Sequence, residues 1–105
     1  MIGNCNMDDL VTITEMEEGD IFVVIDIGEE CRLSNWSREA YQSELKRFDS
    51  IQRVARINSH IIGFIVLRRI ISTNEAEIYN LAVRQPHQKK GIGNKLLRSA
   101  IQLSK

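Results

Sequence analysis

Two runs lying close together, Ala76-Glu77-Ile78-Tyr79-Asn80-Leu81-Ala82-Val83 and Gln88-Lys89-Lys90-Gly91-Ile92-Gly93-Asn94, decide how this chain folds. The first reads as a strand that ends before Pro86, a residue that neither donates to a ladder nor continues one. Beyond Gly93, residues Leu96, Leu97, Ala100, Ile101 and Leu103 fall on one face of a helix, with Lys95, Arg98 and Gln102 on the other. Between strand and helix, two glycines two positions apart let the backbone approach a ligand closely and turn several N–H groups toward one point. Those donors, with the positive end of the helix dipole, make an anion site suited to a pyrophosphate, and Lys89, Lys90 and Lys95 add charge around it. Gly-x-Gly before a helix also occurs as an ordinary connection, so spacing alone does not decide. Two better-known phosphate loops fail: a dinucleotide fingerprint needs a third Gly where Leu96 stands, and a Walker A loop needs Gly-Lys-Ser/Thr, which occurs nowhere.

Outward from this segment the chain is a series of short elements. Ile51 to Ile57, the turn Asn58-Ser59-His60 and Ile61 to Ile71 read as a hairpin, and Ser72-Thr73-Asn74-Glu75 turns the chain into the Ala76–Val83 strand. Toward the N-terminus, Leu10-Val11-Thr12-Ile13-Thr14 alternates as a strand does. A helix follows Glu18-Gly19-Asp20, with Ile21, Val24, Ile25 and Gly28 on its buried side. A second helix starts near Ser37, which can cap it, with Tyr41, Leu45 and Phe48 at i, i+4 and i+7. The order β-α-α-β-β-β-α, with its run of consecutive strands, predicts an α+β fold: a mainly antiparallel sheet with helices packed on its faces.

Composition narrows the function classes. The 105 residues, 43% hydrophobic and 27% charged, suit one small domain spanning residues 1–105. The longest apolar run, Ile61 to Leu67, falls far short of the ~20 residues a membrane helix needs. The N-terminus lacks a secretory pattern, so the cytoplasm is the expected compartment. Cys5 and Cys31 have no second Cys or His at metal-ligand spacing; both are expected as thiols, Cys31 buried and inert, and no metal site is expected. His60 and His87 sit beside turn signals and should be solvated. Residues 1–50 carry four Lys/Arg against twelve Asp/Glu, residues 51–105 ten against two. Either the halves pack together and neutralise, or the basic half meets a phosphate-bearing ligand.

The strand, Pro86, and Gln88-x-x-Gly91-x-Gly93 followed by Leu96-Leu97 resemble the acetyl-CoA-binding core of the GNAT superfamily of N-acetyltransferases. Asn80-Leu81-Ala82-Val83 and Asn35-Trp36-Ser37, followed by Tyr41, are similar to the ribosomal-protein-alanine N-acetyltransferases within it. The resemblance spans roughly residues 10 to 105. It implies a GNAT-type mixed, mainly antiparallel sheet and acetyl-CoA as acetyl donor. The main chain of Leu81, Ala82 and Val83 would bond the pantetheine arm like an added strand. Lys89, Lys90, Gly91, Ile92, Gly93 and Asn94 would hold the pyrophosphate. The acceptor it implies is a protein or peptide N-terminus, a ribosomal protein's being one candidate, with the acidic half and the Asn35-Trp36-Ser37 loop facing it.

In the family, further elements follow the helix that ends here at Lys105, so the chain is expected to be a C-terminally shortened, partial domain. The acid and base of the ribosomal-protein branch lie in that portion. Glu77 stands where the histone-acetyltransferase branch, similar in Ala-Glu-Ile, places its general base, and period-2 alternation would set Glu77, Tyr79, Leu81 and Val83 on one face. A partly buried Glu77 would take the amine's proton, and Tyr79 is the candidate thiolate proton donor; a solvated Glu77 and a core Tyr79 are the plain alternatives. Direct attack of the amine on the thioester needs neither cysteine. An early end to the sheet would leave Leu81, Val83, Leu96, Leu97, Ala100, Ile101 and Leu103 incompletely covered, favouring self-association through the exposed edge or weak activity. A catalytically weak module that binds CoA or a protein remains the alternative. A nucleic-acid binder using Lys89, Lys90, Lys95 and Arg98 is disfavoured, because no stacking aromatics accompany those charges.

Overall fold

The computed structural model describes residues 10–33 and 36–105; Cys5, and Asn35 of the Asn35-Trp36-Ser37 loop, lie outside the described residues. Asn58 and Ser59 both adopt positive φ, +50° and +73°, forming the tight two-residue turn whose twist matches its strands. It joins β2 (Ser50–Ile57) to β3 (His60–Ile70). β1 (Val11–Glu15) pairs with β2, and β4 (Glu75–Val83) with β3, giving the order β1-β2-β3-β4 with every pairing antiparallel. Residues 61–67 of β3 are buried on both faces, as a central strand with helices above and below requires.

Helices α1 (Ile21–Glu30) and α2 (Arg38–Leu45) cover one face, and α3 (Ile92–Ser104) the other. On the first side Ile21, Val24, Ile27 and Tyr41 pack on Val54, Phe64, Val66 and Ala82. On the second, Ile92, Leu96 and Ala100 pack on Ala55, Ile65, Leu67 and Val83. Ser37 caps α2 as expected, its Oγ accepting from the Ala40 N–H at 3.0 Å. The α3 packing explains Gly63: a Cβ there would meet the Ala82 carbonyl oxygen at 2.9 Å and Leu96 Cδ1 at 3.3 Å.

The structure corrects four local expectations. Phe48 lies beyond the end of α2 and is 85% exposed; the apolar face stops at Leu45, and buried Glu44 takes a core position instead. Ile101 and Leu103 are exposed, whereas Val83, Leu96 and Ala100 are buried, because the α3 seam follows positions 92, 96 and 100. His87 is half-buried, its Nδ1 enclosed without a hydrogen-bond partner among the described residues, while His60 is exposed. Finally, β4 does not keep its alternation. Val66 pairs with Asn80 but Leu67 with Ile78, so Tyr79 is the extra residue of a β-bulge. Glu77 therefore lies opposite Arg68, on the α1/α2 face, while Leu81 and Val83 join the α3 side.

The two oppositely charged halves are tied together. Arg56 pairs with Asp20 at 2.8 Å, Arg68 with Glu44 at 2.6 Å, and Arg84 with Asp26 and Glu30 at 3.1 and 2.8 Å. No helix among the described residues is long and apolar enough to cross a membrane.

Candidate functional site

β4 is an edge strand: no further strand pairs with it among the described residues. The Arg84 N–H donates inward to Ile62 at 2.7 Å. An antiparallel ladder alternates inward and outward groups, so Ala82 faces β3 while the main-chain groups of Leu81 and Val83 point outward. Of the three residues expected to meet the pantetheine arm, Leu81 and Val83 thus present their backbones at the edge and Ala82 holds the register. The Val83 carbonyl is already engaged, accepting from Gln88 Nε2 at 2.8 Å and from Cys31 Sγ at 3.3 Å. These bonds tie the edge to the loop and to α1. Cys31 is half-buried rather than buried, and its thiol pKa is raised, first by burial and then by neighbouring Glu30.

The chain leaves β4 through a 3-10 turn, Gln85–His87, with Pro86 inside it. Lys89 and Gly91 then take positive φ, +62° and +84°. Gly91 is the N-cap of α3, and no side chain caps the helix, so its first N–H groups are left for another acceptor. A Cβ built at Gly91 meets nothing within 4 Å, and one at Gly93 meets only Val83 Cγ2 at 3.9 Å, so the space before these backbones is open. Ile92 sends its side chain into the core and offers only its main chain. Lys89, Lys90 and Asn94 are exposed around the opening. An uncapped helix N-terminus with open space and cations beside it fits a pyrophosphate.

At the other end of β4 a second group of residues surrounds the bulge. Arg68 forks onto Glu44 through Nε and Nη2, at 2.9 and 2.6 Å, and its guanidinium lies 4.2 Å above the Tyr79 ring. Burial opposes the charge on Glu44, but the Arg68 fork and the Ser50 hydroxyl outweigh it and lower its pKa. Tyr79 meets Trp36 edge-on at 6.3 Å, and Trp36 lies 5.1 Å from Tyr41. Asn80 Nδ2 donates to the Tyr41 hydroxyl at 3.3 Å, and burial pushes the Tyr41 pKa up to about 12. Glu77 is exposed, not partly buried, because β4 has no outer neighbour among the described residues to cover it. Sequence reasoning missed Arg68, Glu44 and the part Gln88 plays; a charged residue three positions after Tyr41, on the helix face expected to be apolar, was the available signal for Glu44.

An open sheet edge running into an uncapped helix N-terminus defines a protein suited to a long ligand with an amide-bearing arm and a pyrophosphate. The chain belongs to the acetyltransferase (GNAT) family, whose model matches residues 21–105, and that family uses acetyl-CoA. No curated protein matches the sequence. Among solved structures, the chain is similar to the ribosomal-protein-S18-alanine N-acetyltransferase of Escherichia coli, with 22% identity and a TM-score of 0.75 over 90% of this chain and 59% of that one. It is also similar to the PaiA N-acetyltransferase of Thermoplasma acidophilum in complex with coenzyme A (24%, TM-score 0.79, 90% and 71% covered). A third similar structure is an aminoglycoside acetyltransferase from an uncultured soil metagenomic sample in complex with sisomicin (26%, TM-score 0.75, 93% and 72%). The chain thus spans about three fifths of the length of the first of these relatives.

Proposed function

We propose that this chain is an acetyl-CoA-dependent N-acetyltransferase domain acting on a protein N-terminal amine. The observation supporting this most directly is the open outer edge of β4 leading into the uncapped N-terminus of α3. When bound, acetyl-CoA supplies an activated acetyl thioester. The outward groups of Leu81 and the Val83 N–H pair with the pantetheine amides as a neighbouring strand would. The N–H groups of Ile92, Gly93 and Asn94 meet the pyrophosphate, with Lys89 and Lys90 adding screened attraction. The bulge at Tyr79, on the same strand, would be where an amine approaches the cofactor so held. There Glu77 would accept, through water, the proton of an attacking amine as its new N–C bond to the acetyl group replaces the acetyl C–S bond, and the thiolate released would take a proton from solvent.

Calorimetry with CoA tests the seating. Gly93→Val fills the space before the loop and should weaken binding by about 1–3 kcal/mol, the cost of leaving buried phosphate donors unpaired. Unchanged affinity in the folded variant overturns the assignment. In the same preparation, Glu77→Gln should lower turnover roughly 10²–10⁴-fold while CoA affinity stays near wild type; an indifferent rate removes Glu77 as the base.

A further inference from the structure

Arg68 lines two neighbouring hollows on the α1/α2 face, one with Glu77, Tyr79 and Phe48, the other with Trp36, Ala40 and Ser43. Arg68 and Glu77 stand directly opposite each other in the β3–β4 register, so their side chains leave the sheet on the same face. They do not pair. The fork onto buried Glu44 takes Arg68 Nε and Nη2, and Glu77 has no ion pair among the described residues. Arg47, which also lines both hollows, is engaged by Asp49 through two bonds of 2.8 Å. The Glu44 fork leaves Arg68 Nη1 out, while the Tyr79 ring, its centre 4.2 Å from the guanidinium carbon, supports the group from another side. A donor held in place from two directions and an unanswered carboxylate thus lie side by side at the bulge.

We infer that Arg68 selects α-amines over lysine ε-amines: the acceptor's ammonium meets Glu77, and the carbonyl oxygen of its first residue accepts from Arg68 Nη1. This rests on the transferase reading above and assigns the residue that sets its amine class. In a peptide N-terminus the amine nitrogen and that oxygen are joined through only two carbons, so a single residue answers both groups. A lysine ε-amine carries methylenes where the carbonyl is needed. It can reach Glu77, but it covers Nη1 with carbon and leaves a charged donor desolvated without an acceptor, which a site built to hydrogen-bond its substrate penalises. The second hollow, beside Trp36, gives the residues that follow the carbonyl a path along α2. Arg68 places the amine; the proton still goes to Glu77.

The test is a binding titration that needs no turnover. Trp36 is the chain's one tryptophan, lines the second hollow and stands 6.3 Å from Tyr79, so its fluorescence reports occupancy. CoA-saturated protein is titrated with Ala-Ala-Gly-Ala-Gly-Ala, its N-terminus free, and with the same peptide carrying an aminohexanoyl group in place of the first Ala. The second peptide has the same charge but sets its amine, as lysine does, on a chain of methylenes. The Ala peptide should bind wild type about five- to tenfold more tightly. Arg68→Lys keeps a cation for Glu44 but has a single nitrogen and no fork, and it should bring the two affinities within about twofold by weakening the Ala peptide alone. Glu77→Gln should weaken both peptides alike. Equal binding of the two peptides to wild type, a preference that survives Arg68→Lys, or a Glu77→Gln variant that spares both overturns the inference. The wild-type comparison decides by itself where Arg68→Lys does not fold. Failure of the transferase reading shows separately, as absence of CoA binding in calorimetry.

Discussion

Glu44 is a carboxylate 2% exposed, held among a bidentate arginine, the Ser50 hydroxyl and the floor of the first helical layer. Its pKa is lowered from an ordinary value of 4.5, so the folded chain binds fewer protons at this site than the unfolded chain does. The stabilisation is complete above about pH 4.5 and is lost as pH falls through the lower folded value. Glu44→Gln removes the ionised acceptor of the Arg68 fork and should destabilise the domain by about 1–3 kcal/mol near neutral pH. It should also flatten the acid side of the stability profile. Urea midpoints measured from pH 3 to 7 check both effects; parallel profiles for wild type and variant would show that Glu44 does not set the acid limit. Because the same fork holds Arg68 over Tyr79, this residue links stability to the shape of the bulge.

Packing is close where α3 crosses β3 and β4. The Gly63 Cα faces the Ala82 carbonyl and the Leu96 side chain so closely that any Cβ must push strand and helix apart. Gly63→Ala should cost about 1–3 kcal/mol, as small-to-large changes in a filled core do. Gly19→Ala, with nothing within 4 Å, is the control and should lie within about 1 kcal/mol of wild type. Chemical denaturation distinguishes them. A Gly63→Ala variant as stable as the control would mean that the β3–β4 pair yields without cost. The strain would fall on the β4 edge, since Ala82 is the residue that keeps Leu81 and Val83 facing outward.

At the scale of the molecule, charge and apolar surface are unevenly used. The acidic and basic halves are cross-linked by Arg56, Arg68 and Arg84, so neutralisation by packing accounts for much of the asymmetry. The apolar surface is less settled: Ile78 is 49% exposed, Ile71 58% and Leu103 54%, along and below an edge that no further strand covers among the described residues. Such an edge recruits another strand, and a second copy of the same edge is the nearest one available. Sedimentation velocity on the 105-residue chain should show association that grows with concentration and is suppressed by Ile78→Lys. A monomer at every concentration would show that the edge is guarded without a partner.

The order of elements was legible because each carries its own local signal. The 3.6-residue spacing of Leu96 and Ala100, the cap at Ser37, the Asn58-Ser59 turn and the punctuation at Pro86 all act within a few residues of themselves. The loop was legible for the same reason, since Gly91 and Gly93 announce a backbone that must turn and lie bare. What the tertiary structure alone decided depends on strands meeting strands. The bulge at Tyr79 arises from how β4 registers against β3, and it moved Glu77 off the face of Leu81 and Val83. Likewise Glu44 and Arg68, 24 positions apart, became partners only when α2 was laid across β3. Local periodicity encodes which face of an element is apolar; the pairing of two elements is set by the packing of both, and no residue carries that information by itself.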